Sequence, residues 1–161
     1  MRRFLFLSLL ILGACSDKPT EEERRAAVAE VEKAQEAPAQ AFGPQAILYP
    51  DIEKNSLYGA GCSFVPDGGG LGAVALAMAE EGYMKRDGEI LRFAADKGSK
   101  ELPYLAHAQY DGRDYAFVLT LSEVDGEVSG EETINFPASL SVTDSKERVV
   151  YQAQGIAQCG A

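Results

Sequence analysis

Histidine, metal-type cysteine spacing and basic charge are all scarce in this sequence. The chain of 161 residues has one histidine, three cysteines and 15 Lys and Arg against 25 Asp and Glu. His107 lies in "AHAQ", where a packed or half-exposed strand residue is the plainer reading than a base. With no CxxC pair and a single His, nothing has the spacing of a metal site. The G-x-S-x-G, S-x-x-K and H-E-x-x-H patterns are absent. No catalytic residue, metal or cofactor is therefore assigned. The glycine-rich stretch at 67–72 lacks the Lys and Ser/Thr of a phosphate loop, and it reads as a flexible loop. Gly59-Ala60-Gly61 is too short for a dinucleotide fingerprint. Glu80-Glu81 and Glu131-Glu132 would have to meet in space to act as acid and base. Charged, solvated strand edges explain them better. "YDGRD" and "EVDGEVSGEE" lack EF-hand spacing, which leaves only loose calcium binding open.

Long apolar runs are missing too. A membrane helix needs about 20 apolar residues. The longest stretch is Phe4 to Leu12, nine residues with only Ser8 polar. It follows Arg2-Arg3 at the start of the chain, the pattern of a secretory signal peptide. It ends in Leu12-Gly13-Ala14-Cys15. That tetrapeptide resembles the lipobox of bacterial lipoproteins. The resemblance implies a signal peptide at 1–14, cleavage before Cys15, and lipid on Cys15 and on the new N-terminus. More than one acyl chain gives stable anchoring. Ser16, rather than Asp, follows the cysteine, and in enterobacterial lipoproteins this is an outer-membrane address. The implied location is the bacterial cell envelope, outer membrane, facing the periplasm.

Loss of Arg2 and Arg3 leaves 13 basic against 25 acidic residues, a balance of −12. Such a surface repels nucleic acid and anionic lipid. It suits a cationic protein, a cell-wall component or a divalent metal, although solubility alone accounts for it. With Cys15 given to lipid, Cys62 and Cys159 remain. Export makes their pairing the expectation. The bridge would close a loop of about 97 residues, a chain-entropy effect of about 4.7 kcal/mol.

Thr20-Glu21-Glu22-Glu23 is a capping box. The Ala, Glu, Arg, Lys and Val that follow, to about Glu36, suit a helix. Its apolar face is thin, which favours a solvated stalk over a coiled coil. Pro38 and Phe42-Gly43-Pro44 break it, so 15–45 reads as a helical stalk and linker. From 46 the texture changes to short apolar runs and Asp-Gly turns. Strands are expected at 58–65, 83–86, 89–94, 102–110, 115–122, 133–136, 139–143 and 149–153. The run at 73–79 fits strand or helix, with strand favoured by its glycine punctuation. Asp87-Gly88 and Asp111-Gly112 mark hairpins, and Asp125-Gly126 and Ser129-Gly130 mark further turns. The expectation is an all-β domain at 46–161, an antiparallel barrel or sandwich of seven to eight strands. The expected core is Cys62, Phe64, Leu76, Leu91, Phe93, Phe117, Leu119, Leu121, Leu140, Val142 and Val150.

A lipobox, a linker, a small β-body and cysteines in its first and last strands resemble the lipoprotein inhibitors of c-type lysozyme. Lys97-Gly98-Ser99 is similar to their Lys-Gly segment, but their Ser-Gly-Ala-x-Tyr loop is absent, so no inhibitory residue carries across. The body also resembles uncharacterised proteobacterial lipoproteins with a "GCSF"-like start. Lys97, Tyr104, Tyr110 and Tyr115 form the candidate partner surface. The expected function is a non-catalytic envelope lipoprotein whose acidic β-domain binds a partner or serves a structural role; alternatively, it inhibits a cationic lytic enzyme such as lysozyme.

Overall fold

Asp87 and Gly88 both take positive φ, 50° and 81°. This is the type I′ turn that Asp-Gly favours, and its twist matches that of the flanking strands. It joins β3 (Glu81–Arg86) to β4 (Glu89–Ala95). The computed structural model describes residues 19–35, 38–70, 72–122 and 126–161. The expected signal peptide, the lipobox-like segment and Cys15 lie outside these residues, as does Asp125 of the expected Asp125-Gly126 turn.

The chain divides into two compact units, one to Pro38 and one over Ala39–Ala161. In the first, α1 (Glu21–Gln35) begins at the expected capping box. The Glu23 N–H donates to Thr20 Oγ1 at 3.2 Å, and the Thr20 N–H donates to Glu23 Oε2 at 2.7 Å. Val28 and Val31 are exposed.

The second unit is a closed antiparallel barrel. Its strands are β1 (Gly61–Pro66), β2 (Ala75–Met78), β3, β4, β5 (Gln109–Asp111), β6 (Tyr115–Leu121), β8 (Thr133–Asp144) and β9 (Val149–Gly160). Neighbours in the chain pair with each other, β6 pairs with β8, and β9 returns to β1. A ninth short strand, β7 (Glu127–Val128), flanks the start of β8. The wall is a barrel, not a sandwich, and within 73–79 the strand is Ala75–Met78. Eight strands enclose a space that side chains can fill. Here Phe64, Met84, Tyr110, Phe117, Leu119, Leu140 and Val142 fill it. Of the expected core, Leu91 and Leu121 are only partly buried. Leu76 faces outward into a second apolar cluster with Ile47, Leu57 and Tyr83.

Four local expectations need correction. The body begins at Ala39 rather than at 46, because Phe42 is a core residue, 2% exposed, and not part of a linker. Its N–H donates to the Val150 carbonyl at 3.0 Å. Residues 102–110 are not one strand. Pro103, which has no N–H to give a ladder, opens a 3₁₀ turn (Pro103–Leu105), and only Gln109–Asp111 is extended. The expected strands at 133–136 and 139–143 are one strand running through Pro137. That residue's carbonyl accepts from Ser122 N–H at 2.8 Å, one step past the end of β6. Its missing donor points to the same side, where the β6 ladder ends. Finally, α2 (Tyr49–Asn55) was not expected. Pro50 suits a helix start. The carboxylate of Asp51 accepts the Leu48 N–H at 2.9 Å and two bonds from Lys85 Nζ at 2.7 and 2.8 Å. Those bonds clamp α2 to β3.

Candidate interaction surface

Strand register sorts the loops onto two ends. At one end Cys62 and Cys159 stand directly opposite each other on β1 and β9 and form a disulfide. At the other, Phe42 closes the barrel floor, packing edge-on against Tyr115 with ring centroids 4.9 Å apart. The Arg86 guanidinium sits over both rings and donates to the Tyr115 hydroxyl.

Alternation puts Cys62 inside and its neighbours Gly61 and Ser63 outside. Gly61 pairs with Gly160 and with Met78, and Gly160 pairs with Thr133. This row crosses four strands on the outer face of the disulfide end. Two of its four members have no side chain, and a cleft of about 260 Å³ lies along it, with Ser63, Leu76 and Gln158 beside it. A Cβ on Gly160 would lie 2.8 Å from the Glu132 carbonyl, so backbone approach demands glycine there. The cleft was legible only as Gly61-Cys62 and Cys159-Gly160, glycines in strands next to paired cysteines.

The connection from β4 to β5 folds over this end. The Pro103 carbonyl oxygen is 3.8 Å from Cys62 Sγ. The Tyr104 hydroxyl donates to the Glu132 carbonyl at 2.6 Å. Tyr104 and Leu105 both have positive φ, 58° and 60°, and Leu105 is 64% exposed. His107 stands at the base of this loop, its backbone bridged to Glu101. Its N–H donates to the Tyr110 hydroxyl at 2.8 Å, and that hydroxyl donates to the Met78 carbonyl at 2.7 Å.

The proposed partner surface does not assemble. Tyr110 is fully buried, stacked on Phe117 at 4.8 Å, and its role is to tie the loop to β2. Burial pushes its hydroxyl pKa up. Tyr115 is half-buried at the opposite end. Lys97 and Tyr104 share the disulfide end, and Lys97 Nζ donates to both Glu80 oxygens at 2.8 and 2.7 Å. That pairing holds the Glu80 carboxyl below its ordinary value. Glu81 instead takes Arg92 at 3.0 Å and the Tyr83 hydroxyl at 2.6 Å. The adjacent glutamates therefore have separate partners and do not form an acid–base pair.

Both ends carry paired and unpaired carboxylates; among the described residues Glu89, Asp114 and Glu147 at the far end have no cation within ion-pair distance. At the disulfide end, Lys97 and Arg92 answer Glu80 and Glu81. Among the described residues, Glu101, Glu127, Glu131 and Glu132 have no cation within ion-pair distance. At the other end, Arg148 forms a two-bond pair with Asp144 at 2.8 and 2.6 Å, which holds that carboxyl low. Asp51 is held low by Lys85, helped by the Leu48 N–H. Among the described residues there is no cluster of three or more metal-ligating side chains, and no helix is long and apolar enough to cross a membrane. No protein-family model, curated protein or solved structure matches the chain.

Proposed function

We propose that this is a lipid-anchored envelope protein whose β-domain binds a partner of opposite charge and catalyses no reaction. The observation that carries the reading is the division between inside and outside. The barrel interior is filled with apolar and aromatic side chains, so any ligand must meet the exterior. There, the disulfide end presents an open cleft, and Glu101, Glu127, Glu131 and Glu132 of the same end have, among the described residues, no cation within ion-pair distance. The lipobox-like Leu12-Gly13-Ala14-Cys15 supports the anchor, and the composition supports a cationic protein or cell-wall component as the partner.

A second reading, inhibition of a cationic lytic enzyme such as lysozyme, is favoured by one feature. The disulfide ties the first barrel strand to the last, as in the inhibitor lipoproteins that the sequence resembles. One experiment separates the two readings. The mature chain is titrated into lysozyme at low and at high salt, with binding and cell-wall lysis both followed. Salt-sensitive binding without loss of lysis supports the first reading, and stoichiometric loss of lysis supports the second. Absence of binding to lysozyme and to other basic envelope proteins refutes both. Labelled fatty acid incorporated by the wild type and lost in Cys15→Ala tests the anchor.

A further inference from the structure

We infer that β4 carries a built docking edge for an extended, basic peptide segment of a partner protein. The inference rests on the partner-binding reading above and adds a contact made through the backbone. The two-residue turn at Asp87-Gly88 makes Arg86 and Glu89 a hydrogen-bonded pair. Alternation then points the N–H and C=O groups of Leu91 and Phe93 toward β3, and those of Ile90, Arg92 and Ala94 away from it. The Ala95 N–H bond to Glu80 and the Asp96 N–H bond to Gln109 fall on the sides this rule assigns.

Away from β3, β4 pairs with β5 only at Ala94↔Asp111 and Ala95↔Tyr110. Beyond that point the β5–β6 turn curls off, its Gly112 N–H spent on the Tyr115 carbonyl at 2.8 Å. Among the described residues, the N–H and C=O groups of Ile90 and Arg92 have no partner. Between this edge and the turn lies a cleft of about 200 Å³ lined by Leu91, Phe93, Gly112 and Tyr115, with Arg113 and Asp114 at its mouth. An unpaired strand edge is a template for another strand.

Charge selects the occupant. Asp87, Glu89, Asp111 and Asp114 are exposed around the edge. Of the nearby cations, Arg86 is held between Phe42 and Tyr115 and pairs with Asp87 at 3.2 Å, and Arg92 lies over Tyr83 and pairs with Glu81, so Glu89, Asp111 and Asp114 are the carboxylates left to select the occupant. Arg113 is the remaining counter-charge. A strand with alternating basic and apolar residues fits. Its apolar side chains face the cleft and its basic ones face the carboxylates.

The test uses the full mature chain and the probe acetyl-Lys-Val-Lys-Val-Lys-Val-Lys-amide, with amide exchange read by NMR. The Ile90 and Arg92 amides should exchange quickly in the unliganded protein and slow by at least about tenfold at saturation. Ile90→Pro removes an edge donor without touching the β3 ladder, and it should weaken binding about tenfold. A probe N-methylated along one edge keeps its charge and should also lose binding, whether or not the proline variant folds. Edge amides already protected without probe, or binding unchanged by N-methylation, overturn the inference. Protection at the disulfide end alone also overturns it and leaves the partner-binding reading standing. Failure of this probe together with every basic protein removes both.

Discussion

Two seams close this barrel, and they are built differently. Between β1 and β9 the strands pair over their full common length, from Gly61↔Gly160 to Pro66↔Gly155, and a buried disulfide crosses them. Between β4 and β5 only two residue pairs meet. The first seam joins residues 97 apart in the chain, the second residues 17 apart at Ala94↔Asp111. Loop closure is the more costly entropically the longer the chain enclosed. Covalent reinforcement sits where that cost is larger. Where the strands are near neighbours in the chain, the wall can gape and still stay closed.

The largest expected effect comes from cutting the strong seam. Reduction, or replacement of both cysteines by alanine, should lower unfolding free energy by about 4.7 kcal/mol on the loop-entropy account. A denaturant midpoint shift measures it. A negligible shift would mean that the ladder alone holds β1 to β9.

Leu91→Pro is the next test. It removes a donor from the β3–β4 ladder and should cost about 1–3 kcal/mol through the orphaned partner on Met84. Its neighbour Ile90→Pro should stay within about 1 kcal/mol of wild type, the span of strand propensities, because the lost N–H faces no strand. Equal losses in the two variants would show that β4 has no open side.

The Asp51–Lys85 clamp braces β3 from outside, and its effect is smaller and depends on pH. The folded Asp51 carboxyl lies below its ordinary value because Lys85 and the Leu48 N–H bond its charged form. A depressed folded pKa contributes stability that is present above the unfolded value and lost as pH falls through the folded one. The stability gap between wild type and Asp51→Asn should therefore be level across neutral pH. It should shrink below about pH 4, near the ordinary carboxylate value. A gap that persists at lower pH would assign the effect to packing rather than charge.

Much of the wall is legible in the sequence. Alternation in Tyr115-Ala-Phe-Val-Leu-Thr-Leu and the Asp-Gly turns report local chemistry that holds in any context. Phe42 was not readable, because a single aromatic between Ala and Gly-Pro carries no period, and only the open barrel floor draws it in. The continuous β8 was hidden by Pro137, tolerable only because β6 ends there. α2 was hidden because its cap is an aspartate engaged by a lysine on β3. The tyrosines at 104, 110 and 115 look like one cluster in the sequence. A 3₁₀ turn, an inward strand position and the far end of the barrel separate them.

By itself, the sequence determined the Asp87-Gly88 hairpin, the inward face of Tyr115–Leu121, the acidic balance and which two cysteines were left to pair in the β-domain. Those depend on side-chain size, turn propensity and counting. Tertiary structure alone decided that Gly61 meets Gly160 across a cleft, that Tyr110 is buried, and that the Ile90 and Arg92 backbone faces open space. Register between strands far apart in the chain follows from burial of whole faces and from loop lengths acting together. No short stretch of residues contains that information.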